Sequence, residues 1–147
     1  MFKELLGRIS KGLDKASIPY LVIGGQAVLL YGEPRLTQDI DITLGIDTGK
    51  LSIFLKAVKD LKFERMAGAT DEFIKRTNVI PCIDPVTKIR VDFIFSFLPY
   101  EQEAIRRGRK VKIGDASVNF VSPEDLIIHK LFAGRPRDIE DAEAVFA

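Results

Sequence analysis

Cysteine and histidine each occur once in these 147 residues, and tryptophan does not occur at all. The lone Cys82 excludes an intramolecular disulfide and leaves no basis for a cysteine-built zinc site. With His129 the only histidine, histidine-based metal sites and serine–histidine triads have almost no support. Charge of one sign is also missing: the net charge is +1, so no global field argues for binding long nucleic acid. No segment approaches the roughly 20 consecutive apolar residues that span a bilayer, so no membrane partner is expected. The N-terminal stretch Met1–Arg8 carries charges at helical spacing and lacks the uninterrupted apolar run of a signal peptide, which makes a cytoplasmic location the expectation.

What remains is an ordinary globular composition, 46% hydrophobic and 29% charged. The length suits one domain over residues 1–147, able to bury roughly two-thirds of its unfolded surface. Neither a repeat nor a low-complexity tract nor a linker divides it.

Phe2, Leu5, Leu6, Ile9 and Leu13 recur at helical spacing and predict an amphipathic helix over residues 2–16, ended near Pro19. Tyr20–Ile23 is a short apolar run of the kind buried strands show. Gly24 and Gly25 close it, and a short helix is expected from Gln26 to Tyr31. Ile40–Leu44 predicts a second strand, and Asp47 or Thr48 a cap for a helix through Leu61. Phe63–Met66 and Phe73–Ile83 predict strands around a loop at Gly68–Asp71, with Pro81 and Pro85 pointing to an edge or irregular course. Lys88–Phe95 is a strong strand, followed by a helix over Glu101–Arg107 and a hairpin of Arg109–Ile113 with Ser117–Val121. Ser122-Pro123-Glu124-Asp125 combines a capping serine, proline at the first helical position and acids in the first turn. That helix is expected to run through Phe132 to Gly134, with a last one from Pro136 to Phe146.

Two features depart from simple patterning. Asp39 and Asp41 are separated by one apolar residue, so a strand projects both from one face while Ile40, Ile42 and Leu44 take the other. Two carboxylates held that close repel each other unless a cation neutralises them. Asp92 interrupts the apolar run Val91–Phe95, where an unpaired buried carboxylate is costly. Asp39 and Asp41 have a bland reading, the solvent face of a half-buried sheet, and Asp92 could instead pair with an arginine such as Arg90 or Arg35. Gly24-Gly25, separated from Asp39 by thirteen residues, can let a phosphate approach the backbone. Together they point to metal-assisted phosphoryl chemistry on a nucleotide.

At this point the chain resembles the nucleotidyltransferases of the polymerase-beta-like superfamily. The matching residues are Ile23-Gly24-Gly25, then Asp39-Ile40-Asp41-Ile42, then Val91-Asp92-Phe93. Arg35-Leu36-Thr37-Gln38-Asp39-Ile40-Asp41 and the tail Pro123–Ala133, with Arg135, Arg137, Asp138 and Asp141, look most like the minimal branch that includes the abortive-infection AbiE-type toxins. The resemblance covers residues from about 18 onward. It implies an α+β nucleotidyltransferase fold, a mixed central sheet flanked by helices, with helices at the C-terminal end. It also implies transfer of a nucleoside monophosphate from an NTP to an acceptor hydroxyl by a two-metal mechanism, with pyrophosphate released. Asp39, Asp41 and Asp92 would be both catalytic residues and ligands of magnesium or manganese, ions suited to oxygen-only donors. Gly24 and Gly25 would bring backbone amides to the phosphates. Lys130 stands where the branch keeps a lysine facing the nucleotide, and reads equally as a solvated helical lysine.

Other residues keep two readings each. Arg35 and Thr37 are close enough to the acidic strand to touch phosphate or acceptor, and Arg35 reads equally as a loop charge. Gln26 is a helix-surface residue or a phosphate contact. His129 reads as a helix-surface residue, and Asp138 and Asp141 as partners of Arg135 or Arg137. Arg106–Lys112 is a dense basic run, a solvated strand entrance or a grip on RNA or another phosphorylated acceptor. The acceptor is open among RNA, protein and small molecule. The alternatives to an active transferase are a nucleotide- or partner-binding module without turnover, and a toxin paired with an antitoxin. The ending Phe146-Ala147, inside an uncapped helix, predicts that further sequence, an antitoxin or a second copy in a homo-oligomer completes that edge.

Overall fold

The apolar stripe of the first residues folds as one face of helix α1 (Phe2–Lys15), with Leu5, Ile9 and Leu13 buried. Its end is a Schellman turn. Ser17 adopts a left-handed φ of 56°, its N–H donates to the Asp14 carbonyl, and the Ile18 N–H reaches back to Leu13 at 2.9 Å. These observations come from a computed structural model that describes residues 2–23, 39–96, 98–133 and 143, with the side chains of residues 130, 132 and 133 left aside. The helix expected at Gln26–Tyr31 and the last helix from Pro136 lie outside the described residues, apart from residue 143.

The strands are β1 (Tyr20–Ile23), β2 (Asp39–Leu44), β3 (Glu64–Arg65), β4 (Val79–Ile83), β5 (Arg90–Phe95), β6 (Arg109–Ile113) and β7 (Ala116–Phe120). They form one mixed sheet in the order β3-β4-β5-β2-β1-β7-β6. The central pair β2–β5 is parallel, as is β1–β7, and the other pairings are antiparallel. Tyr20 and Val22 share a sheet face with Ile40, Ile42, Leu44, Val91, Phe93, Phe95 and Phe120. Helix α1 and helix α2 (Leu51–Asp60) cover that face. The ring of Phe54 on α2 meets Phe93 and Phe95 edge-on, at centroid distances of 4.8 and 5.5 Å. Tyr20 fixes α1 from below, its hydroxyl 2.6 Å from Ser10 Oγ and accepting from the Asn119 N–H. Gly12 lets the two helices touch, since a Cβ there would stand 2.9 Å from Leu61.

The opposite face carries the buried Leu21, Thr43 and Asn119, with helix α4 (Pro99–Arg106) packed against it and helix α5 (Pro123–Ala133) following β7 in the chain. Asn119 Nδ2 donates to the Ile105 carbonyl, and Gln102 of α4 donates to the Gly45 carbonyl. Among the described residues, no helix is long and apolar enough to cross a membrane.

One predicted element is wrong. Phe73–Ile83 is not a single strand: residues Asp71–Thr77 form helix α3, and only Val79–Ile83 is extended. The helix has its own start and stop signals. Thr70 Oγ1 accepts from the Phe73 N–H, Asp71 and Glu72 occupy the first turn, and Asn78 ends it at a left-handed φ of 60°. Nor is the Pro81 strand an edge: β4 is second in the sheet, behind the two-residue β3, whose continuation Met66 donates to the Pro81 carbonyl.

Helix α2 ends in a second Schellman turn, around the exposed Lys62 at φ 61°. A side chain in that conformation is disfavoured by about 1 kcal/mol. Lys62→Gly is therefore expected to stabilise the fold by roughly 0.5–1 kcal/mol in urea unfolding. An unchanged or lower midpoint would contradict this.

Candidate active site

Asp39 and Asp41 leave β2 on one face while Ile40 and Ile42 are buried on the other. The parallel register sets Asp41 beside Asp92 and Asp39 beside Arg90. Paired positions on neighbouring strands share a face and lie about 4.8 Å apart. The three aspartates, brought together from two segments far apart in sequence, thus share one side of the sheet centre, with Arg90 among them. Ile23 flanks Asp41 on β1, and Pro81 flanks Asp92 on β4. A slip of one residue in either central strand would turn its acids into the core.

Arg90 pairs with Asp92 there. Its Nε donates to Asp92 Oδ1 at 2.9 Å, with the Asp92 side chain 18% exposed and that of Arg90 44%. The Asp92 hydrogen bond, followed by the fields of Asp92, Asp39 and Asp41, raises the guanidinium above its ordinary value, against a smaller opposing effect of burial. Of the two arginines the sequence offered Asp92, Arg90 is the one it meets. Among the described residues, no group of three or more histidine, cysteine, aspartate or glutamate side chains is gathered closely enough to hold a metal ion as it stands. The donor set itself suits a hard divalent cation: three carboxylates on one rigid surface, oxygen donors only.

Gly24, Gly25, Arg35 and Thr37, with Gln26, lie outside the described residues, as do Asp138 and Asp141. Lys130 is placed as far as its backbone, in the eighth position of α5.

A further acid, on α5, is buried in a network of its own. Asp125, 3% exposed, was legible only as a first-turn helix acid. It accepts from Arg107 Nε and Nη2 at 3.1 and 2.9 Å, from Tyr100 Oη at 2.8 Å and from Ser122 Oγ at 3.0 Å. Its own N–H donates back to Ser122 Oγ. Burial alone would raise the Asp125 carboxyl, but Arg107, Tyr100 and Ser122 together hold it below its ordinary value. Burial, then the bond to Asp125, pushes the Tyr100 hydroxyl up to about 12. The Ser122–Asp125 spacing carried the capping half of this signal; the Arg107 half, 18 residues upstream, had none. The network ties the end of α4 to the start of α5, the helix that carries Lys130.

The basic run Arg106–Lys112 is accordingly divided. Arg106 pairs with Glu103 and Arg107 with Asp125, while Lys110 and Lys112 are exposed on β6. His129 is half-buried rather than a surface residue, its Nε2 3.4 Å from Glu101 Oε1 and its ring edge-on to Tyr100. Cys82 lies in the core, its thiol pushed up to about 12 by burial, which makes it inert.

A family model described as a nucleotidyltransferase of unknown function (DUF6036) matches residues 1–145. No curated protein matches the sequence. Among solved structures, an antigenic nucleotidyltransferase-like protein from Paracoccidioides brasiliensis is similar with a TM-score of 0.65 and 18% identity, over 98% of this chain and 73% of that one. The antibiotic-resistance factor ANT(2″)-Ia, solved with adenylyl-2″-tobramycin, gives 0.61 and 18%, over 97% and 86%. The lincosamide antibiotic adenylyltransferase LnuA, with lincomycin bound, gives 0.60 and 17%, over 98% and 96%. At these identities the likeness shows the fold, which is the α+β nucleotidyltransferase arrangement expected from Asp39, Asp41 and Asp92. The abortive-infection branch remains a resemblance of the Arg35–Asp41 segment and the tail.

The Asp125 network has a testable sign. Its folded value is depressed, so its stabilisation is present above the ordinary carboxylate value of 3.8 and is lost as pH falls through the lower folded value. Asp125→Asn is expected to destabilise by about 1–3 kcal/mol at neutral pH. That gap should narrow below about pH 4. Urea unfolding of both proteins at pH 7 and pH 3 measures it, and a gap constant with pH would refute the ionic origin.

Proposed function

The chain belongs to the family of nucleotidyltransferases of unknown function DUF6036, and we propose that it transfers a nucleoside monophosphate from an NTP to an acceptor hydroxyl, releasing pyrophosphate. The observation that carries this reading is the register of β2 against β5, which sets Asp41 beside Asp92 with Asp39 on the same face. Residues 1–147 act as one domain in this proposal.

Asp39, Asp41 and Asp92 would hold magnesium or manganese. The bound cations would lower the pKa of the acceptor hydroxyl and neutralise charge on the triphosphate and leaving pyrophosphate. Asp39 and Asp41 are rigidly placed by the buried Ile40 and Ile42, so their oxygens need little reorganisation. Asp92 orients the acceptor hydroxyl and takes its proton as the acceptor oxygen bonds to the α-phosphorus. The bond from the α-phosphorus to the bridging oxygen breaks, and pyrophosphate departs with that electron pair. The Gly24 and Gly25 amides bind phosphate; Arg35 and Thr37 contact phosphate or acceptor. Lys130 is the proposed nucleotide contact from α5, a helix whose start is anchored by Asp125.

The acceptor is RNA, a protein or a small molecule. ANT(2″)-Ia and LnuA, whose bound molecules are an adenylylated antibiotic and an antibiotic, favour the small molecule. A second reading, a nucleotide- or partner-binding module without turnover, draws on the Arg90–Asp92 ion pair, which occupies one oxygen of the third acid. The toxin reading, with an antitoxin as partner, draws on the Arg35–Asp41 resemblance.

Incubation with each radiolabelled NTP, magnesium and a cell extract as acceptor source should transfer label in the wild type. Asp41→Asn and Asp92→Asn are each expected to reduce it by about a hundredfold or more, the scale of losing charge stabilisation in a reaction centre. Equal labelling by the wild type and Asp41→Asn would remove these acids from the reaction. A thermal-shift series of the four NTPs, with magnesium and without, separates the two readings from plain cation binding: nucleotide binding raises the midpoint selectively.

A further inference from the structure

We propose that the groove between α1 and α2 docks an acidic amphipathic helix of a partner protein. Helices α1 and α2 cover the sheet face that carries Ile40, Ile42 and Phe93, whereas Asp39, Asp41 and Asp92 leave the other face. A helix seated in the groove would therefore leave the acids uncovered, and the proposal is independent of their role.

The groove holds about 420 Å3 and is open to solvent. Its floor is small and apolar, with Gly12 and Ala16 on one side and Ala57 and Leu61 on the other. Residues of that kind let the side-chain ridge of an incoming helix settle between two others. Ile53 lines the groove with half of its surface exposed, apolar area that such a ridge would cover. From Arg8 to Ala16 the α1 side extends about 12 Å, roughly two helical turns.

Charge selects the occupant. Arg8, Lys11 and Lys15 stand at i, i+3 and i+7, so one edge of α1 presents a row of cations. Lys56 faces them from α2, against one lining acid, Asp60. Arg8 is committed to the fold: its Nη2 donates to the Leu61 carbonyl at 2.9 Å, and its guanidinium lies over the Phe63 ring. Lys11 pairs with Asp115 at 2.7 Å, an exposed contact of little strength. Lys15 and Lys56 are exposed, and among the described residues no ion pair engages either. Positive charge spread over two turns, with an apolar floor between the rims, complements a helix whose acids flank an apolar stripe. A small amphiphile has one anionic head and calls for cations that converge at one end. A nucleic-acid strand calls for aromatic platforms beneath its bases, and no aromatic ring lines the groove.

The probe is a fluorescein-labelled synthetic peptide of about 18 residues, long enough to be helical, with leucines at i, i+3 and i+7 flanked by glutamates. Fluorescence anisotropy with the full chain should show binding that weakens as salt rises. A control peptide with lysine in place of each glutamate should not bind. Reversing both free cations, Lys15→Glu with Lys56→Glu, should weaken the glutamate peptide about tenfold or more, and Lys15→Gln with Lys56→Gln should fall between. Both side chains are exposed, so these variants should keep the wild-type unfolding midpoint, which separates lost binding from lost folding. Lysines that are merely solvated predict no binding that depends on them. Failure of the glutamate peptide to bind overturns the proposal, as does equal binding of the two peptides or an unchanged affinity in the reversed variant. Displacement of the peptide by an equal concentration of single-stranded RNA or of laurate overturns it in favour of those ligands. A wild type that sediments as a dimer, with Ile53→Asp monomeric, overturns it in favour of a second copy of this chain.

Discussion

The parallel pairing of β2 with β5 is the constraint on which the rest of the structure depends. It joins segments separated by the whole of α2, α3 and the β3–β4 ribbon, and it runs through six consecutive residue pairs from Asp39–Arg90 to Leu44–Phe95. On one side those pairs supply the central hydrophobic row, Ile40, Ile42, Val91 and Phe93, all fully buried. On the other they align Asp39, Asp41, Arg90 and Asp92. Since strand side chains alternate, the packing that buries the apolar row also fixes the acids. Stability and site geometry are therefore two faces of one register.

The same molecule handles buried acid in two ways. Asp125 is enclosed by Arg107, Tyr100 and Ser122, with both of its oxygens used. An acid satisfied to that degree is committed to structure, because moving it would strand an arginine and a tyrosine. Asp92 is partly exposed and accepts from Arg90 through one oxygen. Both carboxylates meet an arginine, and they differ in how fully their oxygens are engaged: Asp125 through both, Asp92 with Arg90 through one.

Much of this was visible along the chain. The alternation in Asp39–Leu44 and in Arg90–Phe95 gives both strands and the side each acid takes. Ser122-Pro123-Glu124-Asp125 gives the start of α5, and the apolar stripe of residues 2–13 gives α1. Helix α3 was missed because it has only seven residues, with Phe73 and Ile74 alone apolar, too few to show a helical stripe, and its Thr70 cap is a single hydroxyl. The Arg107–Asp125 pair was illegible because it depends on how two helices dock, which local pattern does not encode. The adjacency of Asp41 and Asp92 falls between these cases. Each acid stands out alone, but their pairing needs the crossover that brings β5 beside β2. Arg90 as partner of Asp92 was legible as one option, since strand periodicity puts residues two apart on one face.

The outer strands of the sheet have a consequence of their own. One rim is the two-residue β3, Glu64–Arg65, and the other is β6 with exposed Arg109, Lys110 and Lys112. An unpaired rim strand offers backbone donors and acceptors to any passing chain, and long flat apolar rims nucleate aggregates. Here one rim is too short to template a partner, and the other sets like charges against a second copy of itself. Among the described residues, the seven-stranded sheet thus ends in two strands ill suited to pairing with another molecule.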